Sequence, residues 1–455
     1  MKRFDLRTRE ELSAEVARFG GELPWSDDLA VLGEPVAVAG RRLANRFVVQ
    51  PMEGVDACDD GGTPGELTFR RYRRFAAGGS ALIWFESAAV VPEGRSGPRQ
   101  LMLTDQNLDV WRRLVDETRR AAREQGCGDV VLLLQLTHSG RYSRPQGRPA
   151  PVTAQRNPLL ERAMPEMPVT EPVSDDALER LREAFVATAV RAERAGFDGV
   201  DMKAVHGYLV AELLGAHGRE GRYGGPYEQR TRFLKACVSD MRQALARTTW
   251  VASRLTVLEP SDYPYGWGVA AREGAWQPDL AEPLRLIGEL TALGVPFHNI
   301  SMGYPRFQPY LNRPHDRALA GCPPPPEDPL RGVVRFQETV RAVRRAAGGG
   351  PVITAALSWL RHLAPPVAAG LVREGWCDLI GFGRSAFAYP DAANDILRGG
   401  GMVSGKCCVT CSMCSQIMKD AVGRGGCVVR DSAVYAPEYR RGREAARQTM
   451  AAREL

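Results

Sequence analysis

The sequence predicts an α/β fold, a closed (β/α)8 barrel, on three observations. Eight short β-rich apolar runs recur along the 455 residues, with longer amphipathic or Ala/Arg-rich helical stretches between them. Within the runs the apolar residues are continuous rather than alternating, as in strands buried on both faces of a parallel sheet. No strand-linked GxGxxG motif is present, which counts against the alternative, an open doubly wound sheet. With 44% apolar residues the chain can fill one large core, and a single barrel with insertions can absorb more than ~400 residues.

In chain order the runs are Phe47–Met52, Ala81–Glu86, Val130–Leu136, Gly199–Lys203, Trp250–Val257, Phe297–Met302, Pro351–Ala355 and Asp378–Phe382. The clearest helix is Asp175–Ala195, where apolar positions recur every three or four residues behind a Ser174/Asp175 cap. Two connections exceed ordinary linkers: Glu259–Asp279 after the fifth strand and Gly303–Leu330 after the sixth. The second is stiffened by Pro323–Pro326. Long ordered loops at this end of a barrel build or cover a pocket. The last stretch, Pro437–Leu455, is charged and helix-prone.

Charged residues make up 25% and sum to +6, spread too diffusely for a nucleic-acid or anionic-membrane partner. Only five of the 60 basic residues are lysines: Lys2, Lys203, Lys235, Lys406 and Lys419. No apolar run reaches the about 18 residues of a membrane span, and the charged start MKRFDLRTREELSAEV lacks the apolar core of a secretory signal. A cytoplasmic location is the expectation. Disulfides are rare there, so the ten cysteines need another purpose.

Five of the ten fall within Cys407–Cys427. Cys408, Cys411, Cys414 and Cys427 read C-x2-C-x2-C-x12-C. Three thiolates on one tight loop with a fourth nearby suit a cubane iron–sulfur cluster, each iron taking one thiolate. Structural zinc is one alternative, although two well-separated CxxC knuckles serve it better, and buried cysteines without a metal are the other. Cys407 is an alternative to Cys408 as ligand. Cys58, Cys127, Cys237, Cys322 and Cys377 are scattered and read as small core or loop residues.

Six stretches converge on one family. NRFVVQPMEG from Asn45, QLTHSGR from Gln135, AGFDGVDMKAVHGYLVAELL from Ala195, REGRYGGPYEQRTRF from Arg219, ASRL from Ala252 and DLIGFGR from Asp378 resemble the Old Yellow Enzyme (NADH:flavin oxidoreductase) family. The resemblance runs over nearly the whole chain. Its cysteine segment is similar to the iron–sulfur branch, that of 2,4-dienoyl-CoA reductase and trimethylamine dehydrogenase. The resemblance implies an FMN-binding TIM barrel, in agreement with the strand count, and a [4Fe-4S] cluster. It places Pro51, Met52 and Glu53 beside the flavin's reactive edge, Gln135 on the pyrimidine ring, and Arg254 near N1 and O2, where a cation favours the reduced state. Gly383 and Arg384 resemble the phosphate-binding turn after the last strand. Lys203, His206 and Tyr208 fall on the family's active-site triplet, which implies a carbonyl oxygen held by the first two and a proton given by the tyrosine.

Two positions depart from that pattern. Lys203 stands where relatives often carry histidine. It can polarise a carbonyl, attract a carboxylate, act as a base if burial lowers its pKa, contact the flavin, or pair with Glu53 or Glu86. Glu53 stands where relatives often carry threonine or cysteine. A carboxylate cannot tether the flavin, so FMN is expected to be noncovalent. His138 and Tyr223 read as loop supports.

Three functions remain as expectations. The preferred one is an ene-reductase acting on an activated C=C bond of a small carbonyl compound. The second is an amine or saturated-carbonyl dehydrogenase that passes electrons out through the cluster, with Tyr263, Tyr265, Trp267, Tyr304 and Phe307 as a candidate aromatic cage. The third is a flavin/iron–sulfur electron carrier, against which Tyr208 and His206 speak. No nucleotide-binding domain follows Cys427 in this sequence, so NAD(P)H at the flavin face, or a ferredoxin-like or flavoprotein partner, is expected to supply or accept electrons. A homo-oligomer is compatible with the sequence. Residues 1–400 are expected to form the FMN barrel with an N-terminal extension, and 401–455 the cluster loop and a tail packed on it.

Overall fold

The computed structural model describes residues 4–320, 322–420 and 423–454; Leu455 of the expected tail lies outside the described residues. A short antiparallel hairpin, β1 (Val36–Val38) and β2 (Arg41–Leu43), precedes eight strands. These are β3 (Phe47–Val49), β4 (Leu82–Ala89), β5 (Val131–Thr137), β6 (Gly199–Met202), β7 (Trp250–Leu258), β8 (His298–Met302), β9 (Val352–Thr354) and β10 (Leu379–Phe382). All eight pair in parallel and close as β10–β3–β4–β5–β6–β7–β8–β9. Each expected run holds a strand, with ends shifted by at most three residues. The early end of β3 falls before Pro51, which has no N–H to offer a ladder.

Helices such as Glu66–Ala77, Leu108–Glu124 and Pro329–Ala346 ring the barrel. The helix Asp175–Arg194 begins where its cap predicts: Ser174 Oγ accepts from the Ala177 N–H at 3.2 Å. Its Leu178, Phe185, Ala189 and Ala192 are buried.

Side chains two apart along a strand share the lumen. At the N-terminal end these are apolar: Val48, Trp84, Leu133, Trp250, Phe297 and Leu379 belong to one cluster, closed by Val38 and Leu43 of the hairpin. One step higher in the same phase the lumen turns polar. Gln50 and Asn299 exchange amide hydrogen bonds at 3.2 and 2.8 Å. Buried Asp201 accepts from the Trp84 indole at 3.0 Å, the Gln135 amide at 2.6 Å and the Arg254 N–H at 2.5 Å.

Phase is broken once where it matters. The register of β4 against β5 shifts between Phe85 and Ala88. As a result Glu86 turns to Arg71 and Tyr72 of the helix Glu66–Ala77, while Ser87 faces the lumen side chains Glu53 and Lys203.

The cysteine-bearing segment folds back on the barrel mouth. The Gly425 N–H donates to Gly54 O at 2.5 Å and the Ala320 N–H to Gln416 Oε1 at 2.7 Å. Asp431 is held by Arg70 and Arg74. The helix Ser432–Glu454 starts before the expected Pro437 and takes that proline into its second turn. No helix among the described residues is long and apolar enough to cross a membrane.

Candidate active site and cysteine-lined recess

Lys203 directly follows β6, in phase above Asp201, and so points into the barrel mouth. Its Nζ donates to Glu53 Oε1 at 2.9 Å and Ser87 Oγ at 3.0 Å, and Ser87 donates to the same Glu53 oxygen at 2.5 Å. The ammonium lies 3.8 Å from the centre of the Tyr208 ring. The Tyr208 hydroxyl is within hydrogen-bonding reach of Glu53 and Ser139. Of the partners open to Lys203, the geometry takes Glu53; Glu86 is committed to Arg71 and to the Gly54 N–H.

Burial pushes the Glu53 carboxyl up, but the Lys203 charge and the hydrogen bonds from Ser87, Lys203 and Tyr208 outweigh it and hold it below its ordinary value. Burial draws Lys203 down, with Glu53 opposing. Tyr208 is driven well up, by burial and then by the Glu53 charge, so it is a neutral phenol at pH 7.

His206 sits in the left-handed region at φ 70. Its turn is pinned from below: the Gly207 N–H donates to Glu259 Oε1 at 2.7 Å. His206 Nε2 faces Ser301 Oγ at 3.2 Å and Asn312 Nδ2 at 3.4 Å. Burial, with Arg254, Lys203 and Arg313 adding to it, keeps the imidazole neutral. The Tyr304 ring packs on Gly207, where any β-carbon would strike it, and Tyr142 lies 5.9 Å from Tyr208 between ring centres. Phe307 joins Tyr142 and Tyr304 in a small apolar cluster. The other aromatic residues of the expected cage disperse: Trp267 is buried against Tyr227, and Tyr263 packs on His217. The five do not form one cage. His138 and Tyr223 do support their loops, His138 Nδ1 accepting from the Gly140 N–H at 3.0 Å and Tyr223 bonding to Glu179.

Around this mouth several buried polar atoms have no partner. Arg254 is the one residue of β7 that keeps partial exposure, and its Nε is unbonded; burial lowers its pKa to about 10. Gln135 is tied to Asp201. Gly383 brings the last strand turn against Met52, next to buried Pro51. Arg384 donates through Nη2 to Pro314 O at 2.7 Å, but its Nη1, the Arg313 Nη1 and the Asn312 Oδ1 are buried and unpaired. Arg313 is lowered to about 10 by burial and then by Arg384. Two arginines whose charges act on each other, each with a buried unpaired N–H group, fit a cofactor that is flat, polar and anionic at one end, as FMN is.

Asp201, Ser87, Glu259, Asn312 and Arg313 escaped the sequence reading. Asp201 carried a usable signal, lying two residues before Lys203 in the same strand phase. Ser87 becomes a lumen residue only through the register shift, and residues 312 and 313 sit in a loop without periodicity.

Cys408, Cys411, Cys414 and Cys427 line one recess of about 330 Å³, counting its open mouth, with Arg384 and Phe387 in its wall. Cys407 faces elsewhere, its Sγ 3.4 Å from Val403 O and its carbonyl accepting from Arg430. Thr410 (φ 47) and Ser412 (φ 60) flank Cys411 in left-handed turns, and their hydroxyls are buried without partners. Burial raises the Cys408 thiol to about 12 and lifts Cys411 and Cys427 as well. Among the described residues no three His, Cys, Asp or Glu side chains converge as a single ion requires. Thiols spread around a recess fit a multi-iron group better than one zinc.

Residues 31–265 match the NADH:flavin oxidoreductase / NADH oxidase family. The NADPH dehydrogenase of Clostridium acetobutylicum is 27% identical over 290 residues, which is 61% of this chain and 78% of that protein. Two solved structures resemble the chain in fold. One is 2-naphthoyl-CoA reductase with 2-naphthoyl-CoA, at TM-score 0.67 and 18% identity over 86% of this chain and 55% of that one. The other is histamine dehydrogenase from Rhizobium sp. 4-9, at TM-score 0.62 and 21% identity over 82% and 48%. The chain thus spans about half the length of these two proteins.

Proposed function

Because the chain belongs to the NADH:flavin oxidoreductase / NADH oxidase family, and is a flavin-dependent oxidoreductase, we propose that it reduces an activated C=C bond of a carbonyl compound, using FMN and a [4Fe-4S] cluster. Bound, FMN supplies hydride transfer and the cluster supplies one-electron exchange with a donor or acceptor.

The observation that carries this reading is Tyr208, a neutral phenol at the barrel mouth whose ring lies on the Lys203 ammonium at 3.8 Å and whose hydroxyl is within reach of Glu53 and Ser139. Reducing a C=C bond requires a proton at the carbon beside the one that takes the hydride, and an electron carrier needs none. His206, kept neutral, is the proposed holder of the carbonyl oxygen. Lys203 has two of its protons committed to Glu53 and Ser87 and its charge against the Tyr208 ring, so it is not free to act as a carbonyl clamp.

Pro51, Met52, Glu53, Gln135, Arg254, Gly383 and Arg384 are the proposed FMN contacts, and Cys408, Cys411, Cys414 and Cys427 the proposed cluster ligands. Residues 401–455 are then a cluster-bearing appendix to the barrel of residues 1–400. The proposed electron source is NAD(P)H, or a ferredoxin-like or flavoprotein partner. The amine-dehydrogenase alternative is weakened by the dispersal of the aromatic residues.

Anaerobic stopped-flow tests the reading in two halves: bleaching of the flavin by NADH or NADPH, then its reoxidation by 2-cyclohexenone. Tyr208→Phe is expected to slow reoxidation at least ~100-fold, in the range of a lost general acid, while bleaching stays within about twofold. Equal losses in both halves, or none in the second, would remove Tyr208 as proton donor.

A further inference from the structure

We propose that Lys203 recharges Tyr208 with a proton after each reduction, acting through Glu53 in a group that Ser87 holds together; this rests on the reading of Tyr208 as proton donor. The four side chains form one closed group at the barrel mouth. Lys203 is 4% exposed and Glu53 11%. An ion pair that served only to hold the mouth together would need these two alone. Here Ser87 bridges them, accepting from Lys203 at 3.0 Å and donating to Glu53 at 2.5 Å. Tyr208 completes the group from the other side, its ring face on the ammonium at 3.8 Å and its hydroxyl within reach of the Glu53 carboxylate.

The cation therefore lies against the ring that turns negative when Tyr208 gives up its proton. It meets the ring face and not the hydroxyl, so the path to the oxygen runs through the carboxylate. Asp201 and Arg254 are the other charges facing Lys203, and Tyr142 lies beside Tyr208. Burial loosens the hold of Lys203 on its proton, the direction a donor requires.

The steps balance without further reagents. The Tyr208 O–H bond breaks as a C–H bond forms on the substrate, leaving a tyrosinate. A Lys203 N–H bond then breaks, its proton passes to the Glu53 carboxylate, and Glu53 hands a proton to the tyrosinate oxygen. Tyr208 is again a phenol, Glu53 again a carboxylate, and Lys203 is a neutral amine that takes one proton from solvent before the next cycle. No electrons move in the relay.

The test compares first and later turnovers of the holoenzyme with 2-cyclohexenone. In Lys203→Met the first turnover uses the proton already on Tyr208, and the readout is the ratio of the later rate to the first in the same sample, which cancels changes in flavin or substrate binding. Under excess nicotinamide that ratio should fall tenfold or more below the wild-type ratio, with bleaching, measured alone in the same variant, still faster than the later turnovers. The double variant Glu53→Gln/Lys203→Met leaves no buried charge unpaired and should show the same split, so misfolding of the single variant does not decide the matter. First and later turnovers slowed alike, or a steady-state rate equal to wild type, overturns the relay while a slow Tyr208→Phe keeps the reading of Tyr208. If Tyr208→Phe reoxidises at the wild-type rate, or if the wild type does not reduce the enone, that reading has failed and the relay falls with it.

Discussion

Glu259 carries a carboxyl into the barrel mouth, 1% exposed, where the Gly207 backbone N–H donates to it at 2.7 Å. Burial raises its pKa to about 8. The folded protein therefore keeps a proton that the unfolded chain releases near pH 4.5. Its contribution to stability is full below that value, is lost as pH rises toward about 8 at up to about 1.4 kcal/mol per pH unit, and is gone above. Glu259→Gln, which is neutral at every pH, is expected to flatten the decline in Tm between pH 5 and 8 and to melt higher than wild type at pH 8. Thermal melts with parallel slopes would contradict this. At this scale the sequence was legible where a motif is contiguous: Lys203, His206 and Tyr208 share one strand end. The partner of Lys203 was left between Glu53 and Glu86, because the register shift that turns Glu86 outward depends on how β4 meets β5 and leaves no local pattern.

The cysteine loop shows the same limit one level up. Its spacing named four thiols on a shared recess, but not that Cys407 turns away to Val403 O while Cys408 faces the recess, nor the left-handed turns at Thr410 and Ser412 that flank Cys411. These are uncommon for residues with a β-carbon and are not written in the C-x2-C pattern. Cys411→Ala is expected to lose the iron absorbance and retain FMN, whereas Cys407→Ala should keep both. Iron analysis and flavin extraction decide it; full iron in the first variant, or loss in the second, would show a different ligand set.

At the scale of the whole molecule, stability and chemistry occupy opposite ends of the barrel, as parallel barrels require. The fold class followed from eight buried runs, but the β1–β2 hairpin did not: each of its strands is three residues, and Arg41 and Arg42 hide its pattern. Only the Ala39–Gly40 turn, both residues at positive φ, hinted at it. Leu43 is 1% exposed in the plug under the lumen. Leu43→Ala should cost about 2–5 kcal/mol in urea unfolding and leave flavin bleaching unchanged below the transition. Slowed bleaching in the folded variant would show that the plug reaches the site. The cysteine segment, by contrast, follows all eight strands in the chain, yet it bonds to Gly54 behind β3 and Ala320 behind β8. On a ribosome the barrel can close and take in a flavin while that segment is still being made. On the proposed ligand set a cluster would have to wait for Cys427, in a recess that shares Arg384 with the proposed flavin site. The proposal therefore gives assembly an expected direction, barrel before cluster, and an iron-starved cell is expected to accumulate chains with the barrel formed and the recess unfilled.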